Sequence, residues 1–195
     1  MEKLNGKKKY NVSVLISGRG TNLKSLINFS KKKNSGINIC LVITNNKNAK
    51  GLNFALKNNI KYLIVNYKNK NKAEKKILFN LKKKKINLIC LAGFMKVLSK
   101  KFVNKYKGRI LNIHPSLLPK YKGLNTHERV IKNKEKYTGC TVHIVNSKLD
   151  AGKKILQSKI RIYKNDNEKS LAKRLLKVEN KLYPKAVKKF LDTNL

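Results

Sequence analysis

Apolar residues in this chain fall in short blocks. Five β-rich blocks, at about 10–17, 37–44, 61–66, 86–94 and 109–114, alternate with stretches where apolar residues recur among lysines and asparagines. Several blocks, such as Val12-Ser13-Val14-Leu15-Ile16, are nearly continuous in apolar residues, the mark of strands covered on both faces. The intervening stretches predict helices at 21–33, 47–58, 69–84 and 100–107. The third is the clearest, with Ala73, Ile77, Leu78 and Leu81 at helical spacing among lysines. Alternating strands and helices predict an α/β fold: a single-domain, wound, mainly parallel sheet with helices on both faces.

Beyond residue 115 the texture changes. Pro115-Ser116-Leu117-Leu118-Pro119 suits neither regular helix nor central strand. A helix then fits 125–133, two strand-like runs fit 141–146 and 154–163, and 168–191 reads as a helix interrupted at Pro184. No repeat and no composition break marks a second domain, so 1–195 reads as one domain. Its N-terminal half, about 10–108, carries a candidate phosphate turn, and its C-terminal half, about 109–190, carries the candidate chemistry.

Composition narrows the function classes. At 195 residues with 41% hydrophobic positions, the chain is long enough for one sizeable core. No apolar run approaches a membrane span, and residues 1–9 lack the apolar stretch of a secretory signal, so a cytoplasmic protein is expected. Cys40, Cys90 and Cys140 form no C-x-x-C pair and read as reduced thiols, the first two within apolar runs. A formal charge of +39 invites a nucleic-acid reading. The lysines, however, are spread over every segment, and arginine, the residue suited to bidentate phosphate and base contacts, occurs only at positions 19, 109, 129, 161 and 174. Scattered surface charge explains the composition without a specific nucleic-acid partner.

Three constellations carry candidate chemistry. The first, Ser17-Gly18-Arg19-Gly20-Thr21-Asn22, follows the first strand block. A dinucleotide fingerprint would need glycine at position 23, which is leucine, and an acid about twenty residues on; no acid lies between Glu2 and Glu74. What remains is a tight turn into a helix beginning near Asn22. Gly18 and Gly20 permit close backbone approach, Thr21 offers a hydroxyl, and the free amides suit a single phosphate. The second is Asn112 and His114, two apart and so on one face of a strand, at the end where open parallel sheets place ligands. An amide and an imidazole there form a plausible oxyanion pair, and the imidazole can also move a proton. The third is Asp150 in the loop 146–152. A carboxylate brought beside His114 would orient the ring and raise its pKa.

Taken together, "SGRGTN" at 17–22, "LAGFM" at 91–95, "LNIHPSLLPKYKGLNTH" at 111–127 and "LDAG" at 149–152 closely resemble the phosphoribosylglycinamide formyltransferases, folate-dependent enzymes of purine biosynthesis. The resemblance runs in order from about residue 10 to Pro184 and implies a Rossmann-like formyltransferase fold. It implies that Gly18, Gly20, Thr21 and Asn22 hold the ribonucleotide phosphate, with Glu179 contacting the same substrate. Met95, Lys96, Val97, Leu98, Asn112 and Asn146 would line the folate site, and Asn112, His114 and Asp150 would be the catalytic set. Lys96 stands where the family often has arginine, exchanging a planar fork for a point charge. His143 is read as supporting or structural, and His127 as a neighbour of the folate side. The implied cosubstrate is 10-formyltetrahydrofolate, with no metal, and the implied partners are small molecules, with no specific nucleic acid and no membrane. A monomer or weak homodimer is expected. The nearest alternative is a methionyl-tRNA formyltransferase-like catalytic domain, which shares the Asn-His-Asp set but lacks the phosphate turn and normally carries a further domain.

Overall fold

The computed structural model describes residues 9–193; the N-terminal segment read above for a secretory signal lies almost wholly outside them. Among the described residues the chain runs β1 (Tyr10–Ile16), α1 (Thr21–Ser30), β2 (Ile37–Thr44), α2 (Leu52–Lys57), β3 (Tyr62–Ile64), α3 (Lys70–Lys83), β4 (Leu88–Leu91), α4 (Lys100–Lys105), β5 (Arg109–His114), α5 (Thr126–Lys132), β6 (Tyr137–Ile144), β7 (Lys154–Arg161) and α6 (Glu168–Thr193). The strands form one seven-stranded sheet in the order β3-β2-β1-β4-β5-β6-β7. The first five are parallel, and β6 and β7 add to the β5 edge antiparallel.

The near-continuous apolar blocks are explained by cover on both faces. Alternate residues of a strand point to opposite sides. Val12, Val14 and Ile16 pack with Leu23, Leu26 and Ile27 of α1 and with Leu175, Tyr183 and Val187 of α6. On the other side Leu15, Ile43 and Ile89 pack with Ala73, Ile77 and Leu81 of α3 and with Phe102 of α4. Each fully buried aliphatic or aromatic side chain of this kind contributes about 1.5–3 kcal/mol of transfer free energy.

Element ends depart from the sequence expectation where side chains compete for the backbone. The helix expected from 47 starts only at Leu52. Asn46 N–H donates to Thr44 Oγ1 and Asn46 Oδ1 accepts from Asn48 N–H, fixing 44–48 as turns. The interruption expected at Pro184 is absent: α6 passes through it. An interior proline costs a helix about 3 kcal/mol. Here Leu182, Tyr183, Ala186, Val187 and Phe190 flank it and are all buried, which offsets that loss. The Tyr183 hydroxyl lies 3.1 Å from the Leu91 carbonyl and 3.0 Å from that of Leu111, which ties α6 to the end of β4 and the middle of β5.

Candidate functional site

The sheet grows from β1 outward through β2 to β3, then restarts on the other side of β1 with β4. At such a reversal the loops leaving the two strands diverge and open a crevice outside their C-terminal ends. The loop after β1 is the Ser17–Asn22 turn, the loop after β4 is Ala92–Ser99, and β5 ends at His114 beside them.

In the first loop Gly20 has φ 73°, a left-handed conformation open chiefly to glycine. A Cβ there would stand 2.5 Å from Gly51 Cα, so the close approach that Gly20 permits is to the turn before α2. Gly51 N–H donates to the Gly18 carbonyl at 3.0 Å and locks the two turns together. At Gly18, by contrast, a Cβ would meet nothing within 4 Å. Open space beside Gly18 is where an anion can approach the first amides of α1. Asn22, buried on α1, donates through Nδ2 to Glu179 Oε2 of α6 at 2.8 Å. Two residues far apart in the chain and both expected near the ribonucleotide are therefore in contact. Burial raises the Glu179 pKa against the opposing pull of that hydrogen bond.

Asn112 and His114 follow Ile110 on the strand face covered by α3 and α4, whereas Leu111 and Ile113 point to α1 and α6. Beyond His114 the Pro115–Pro119 loop is held by the Thr141 hydroxyl, which donates to the Ser116 carbonyl at 2.6 Å and accepts from Leu118 N–H at 3.1 Å. The chain then returns so that the Tyr121 carbonyl lies 2.8 Å from His114 Nε2. A carbonyl can only accept, so Nε2 carries a proton and Nδ1 is the working nitrogen. Asp150 Oδ2 stands 3.4 Å from that Nδ1 and accepts Gly123 N–H at 3.0 Å. Asp150 Oδ1 lies 3.5 Å from Asn112 Nδ2. The carboxylate reaches this place because Asp150 adopts φ 46°, a conformation that aspartate tolerates better than most residues. Gly152 then passes so close to Ile144 that a Cβ would lie 1.6 Å from its carbonyl oxygen.

Burial holds the His114 pKa below its usual value, although the Tyr121 carbonyl and the Asp150 carboxylate pull it upward. That corrects the expectation of a net rise: the carboxylate acts in the direction foreseen, but desolvation outweighs it. At neutral pH the resting imidazole is neutral, with an Nδ1 lone pair able to take a proton. For Asp150 burial alone would raise the pKa. The His143 ring beside it, the hydrogen bond from Gly123 N–H and the His114 imidazole lower it on balance. The pair is thus poised as a proton acceptor beside a fixed carboxylate.

The loop after β4 leaves its strand at Ala92. Met95, Lys96 and Val97 are exposed, whereas Leu98 is buried in the α3–α4 core. Asn146 turns onto its own loop, accepting Lys148 N–H at 2.9 Å.

Three features go beyond the sequence reading, which took His143 only as supporting or structural, His127 as a neighbour of the folate side, and gave Ser17 no role. His143 Nε2 lies 3.3 Å from Asn112 Nδ2 and 3.6 Å from Asp150 Oδ1, which makes it a direct neighbour of the constellation. The antiparallel register pairing Asn112 with His143 puts it there, and nothing local in the sequence signals that register. Ser17 is nearly buried and bonds to both neighbouring loops. His127 has a buried Nδ1 without a hydrogen-bond partner, and its pKa is lowered chiefly by burial.

Comparisons with known proteins show what this chain resembles. The formyl transferase family model matches residues 10–187. A phosphoribosylglycinamide formyltransferase of Haemophilus influenzae is 39% identical over 187 residues, covering 94% of this chain and 88% of its own length. The human trifunctional purine biosynthetic protein adenosine-3 is 42% identical over 184 residues; the match covers 93% of this chain but only 18% of the human protein. The crystal structure of phosphoribosylglycinamide formyltransferase from Anaplasma phagocytophilum superposes with a TM-score of 0.88 at 42% identity, covering 93% of this chain and 86% of the other.

Proposed function

Because this chain belongs to the formyl transferase family, we propose that it transfers a formyl group from 10-formyltetrahydrofolate to the primary amine of glycinamide ribonucleotide, the phosphoribosylglycinamide formyltransferase step of purine biosynthesis. The observation that carries the reading is the convergence of Asn112, His114 and Asp150 at the sheet edge where the strand ends of β1, β4 and β5 lie, the first of which leads into the Gly18–Asn22 turn. An acyl transfer needs an oxyanion donor and a proton acceptor at one point, and a phosphorylated acceptor needs an anion site nearby.

In the proposed reaction the amine nitrogen bonds to the formyl carbon, whose carbonyl pair moves onto oxygen. The Asn112 amide donates to that oxygen. His114 Nδ1 takes the proton released by the attacking amine, and the imidazolium so formed is stabilised by Asp150 at 3.4 Å. The proton then passes to the folate nitrogen as the carbon–nitrogen bond to folate breaks, leaving a formamide and tetrahydrofolate. His143, donating from Nδ1 to the Ile144 carbonyl at 3.1 Å, keeps its Nε2 available to accept from Asn112 and so orients the amide. One Asn112 N–H is spent on this contact, and the second, which reaches Asp150 Oδ1 only at 3.5 Å, is the one that turns to the oxyanion. No metal enters these steps.

Gly18, Gly20, Thr21 and Asn22 are assigned to the ribonucleotide phosphate and Glu179 to the same substrate. Met95, Lys96, Val97, Leu98, Asn112 and Asn146 are assigned to folate. Segment 10–108 thus supplies the phosphate turn and segment 109–190 the transfer chemistry within one catalytic domain. The reaction is assigned to the cytoplasm. Among the described residues no helix is long and apolar enough to cross a membrane.

The test is direct. Purified protein is given 10-formyltetrahydrofolate with a labelled formyl group and either glycinamide ribonucleotide or charged initiator tRNA. Label is expected on the ribonucleotide; label on the tRNA alone would replace this reading with that of a methionyl-tRNA formyltransferase.

A further inference from the structure

We propose that Ser17 is a positioning residue for the folate cosubstrate, although it opens the turn assigned to the ribonucleotide. The proposal rests on the functional reading above for the identity of its ligand. Every polar atom of Ser17 is engaged across loops. Its N–H donates to the Gly93 carbonyl at 3.1 Å. Its carbonyl accepts from Asn46 Nδ2 at 3.1 Å. Its hydroxyl lies 2.5 Å from Asn45 Oδ1 and 2.8 Å from Met95 N. The directions are forced. An amide oxygen only accepts, so the hydroxyl proton goes to Asn45, and an oxygen lone pair is left for Met95 N–H.

Met95 begins the exposed run 95–97 in a loop with no regular structure from Ala92 to Ser99. That loop is fixed at its far end, where Ser99 N–H donates to Glu74 Oε1 at 2.8 Å and the Ser99 hydroxyl to Glu74 Oε2 at 2.5 Å. At its near end it is held through Ser17. Between the two anchors Met95, Lys96 and Val97 face solvent, so their placement depends on the anchors more than on packing. Replacing Ser17 by alanine removes the hydroxyl and leaves the Gly93 and Asn46 bonds, which involve the main chain. The ribonucleotide turn keeps its backbone ties, whereas Met95 N–H loses its partner. The effect therefore falls on the folate side.

The experiment compares wild-type protein, Ser17→Ala and Asn45→Ala by thermal melting, by steady-state kinetics with each substrate varied in turn, and by calorimetric titration with tetrahydrofolate. Ser17→Ala is expected to melt cooperatively and to raise KM for 10-formyltetrahydrofolate about tenfold, with KM for the ribonucleotide changed less than about threefold. Asn45→Ala, which lets the hydroxyl rotate away from Met95, is expected to move the folate KM in the same direction by a smaller factor. A folded Ser17→Ala protein with unchanged folate KM, or with both KM values rising alike, would overturn the proposal. Should Ser17→Ala fail to fold, Asn45→Ala is judged on the same split. If wild-type protein does not formylate the ribonucleotide, the functional reading falls, and calorimetry decides the inference separately. Weaker tetrahydrofolate binding by Ser17→Ala than by wild type supports it, and equal binding, or no binding by either, overturns it.

Discussion

Oδ2 of Asp150 stands 3.4 Å from Nδ1 of His114, and the two side chains, both nearly buried, come from opposite ends of a 36-residue excursion through β6. Asp150→Asn keeps the shape of the side chain and can still accept Gly123 N–H, but it removes the charge that stabilises a protonated ring. The variant is expected to melt within a few degrees of wild type while kcat falls about 10²–10⁴-fold. Near-normal turnover measured on a folded variant would remove Asp150 from the mechanism.

The direction of the His114 shift predicts the acidic limb of the rate profile. A ring that must accept a proton is inactive once protonated, so activity falls as pH drops through its pKa. Burial lowers that pKa, which places the limb below the usual imidazole value of 6.5. Because Asp150 pulls the pKa upward, the residual activity of Asp150→Asn is expected to show a limb at still lower pH. Profiles of kcat/KM against pH for the two proteins test both statements; a limb above 6.5 in wild type contradicts the assignment of His114 as base.

Thr21 and Asn22 separate differently. Asn22 is buried and bonded to Glu179, so its loss leaves a partly buried carboxyl group without its donor, at a cost of about 1–3 kcal/mol. Thr21 lies on the more exposed side of the first turn. Thr21→Ala is expected to raise KM for glycinamide ribonucleotide about tenfold with little change for folate, the reverse of the pattern expected for Ser17→Ala. Equal changes in both constants would break the phosphate assignment.

Gly20→Ala tests the contact between the two turns. Its φ of 73° and the 2.5 Å separation from Gly51 Cα penalise any side chain, and the obstacle is backbone that cannot swing aside. A loss of more than about 1 kcal/mol is expected by denaturant unfolding. Gly18→Ala, with open space around the new methyl group, is expected to unfold close to wild type.

The sequence was most legible where the pattern is local and two-sided. β5 was expected at 109–114 and runs Arg109–His114, because its apolar block is bounded by Gly108 and Pro115. The winding of the sheet followed from the alternation of blocks and helical stretches. Less was legible wherever a distant partner decides the outcome. The continuity of α6 through Pro184 comes from burial on both sides of the proline. The charge state of His114 depends on desolvation, which no motif reports. The motifs assembled Asn112, His114 and Asp150 correctly as a group, whereas His143 entered it through a cross-strand register. Gly18 and Gly20 were read as letting a phosphate approach the backbone; the fold reveals that at Gly20 it is the Gly51 turn that comes close.

The reversal of strand order between β1 and β4 has a consequence for how such a protein diversifies. On the proposed assignment, acceptor recognition falls to the turn after β1 and to α6, while the bond-making groups ride on β5 and the β6–β7 connection. New acceptors can therefore be accommodated by rewriting one rim of the crevice, with the chemistry inherited intact on the other.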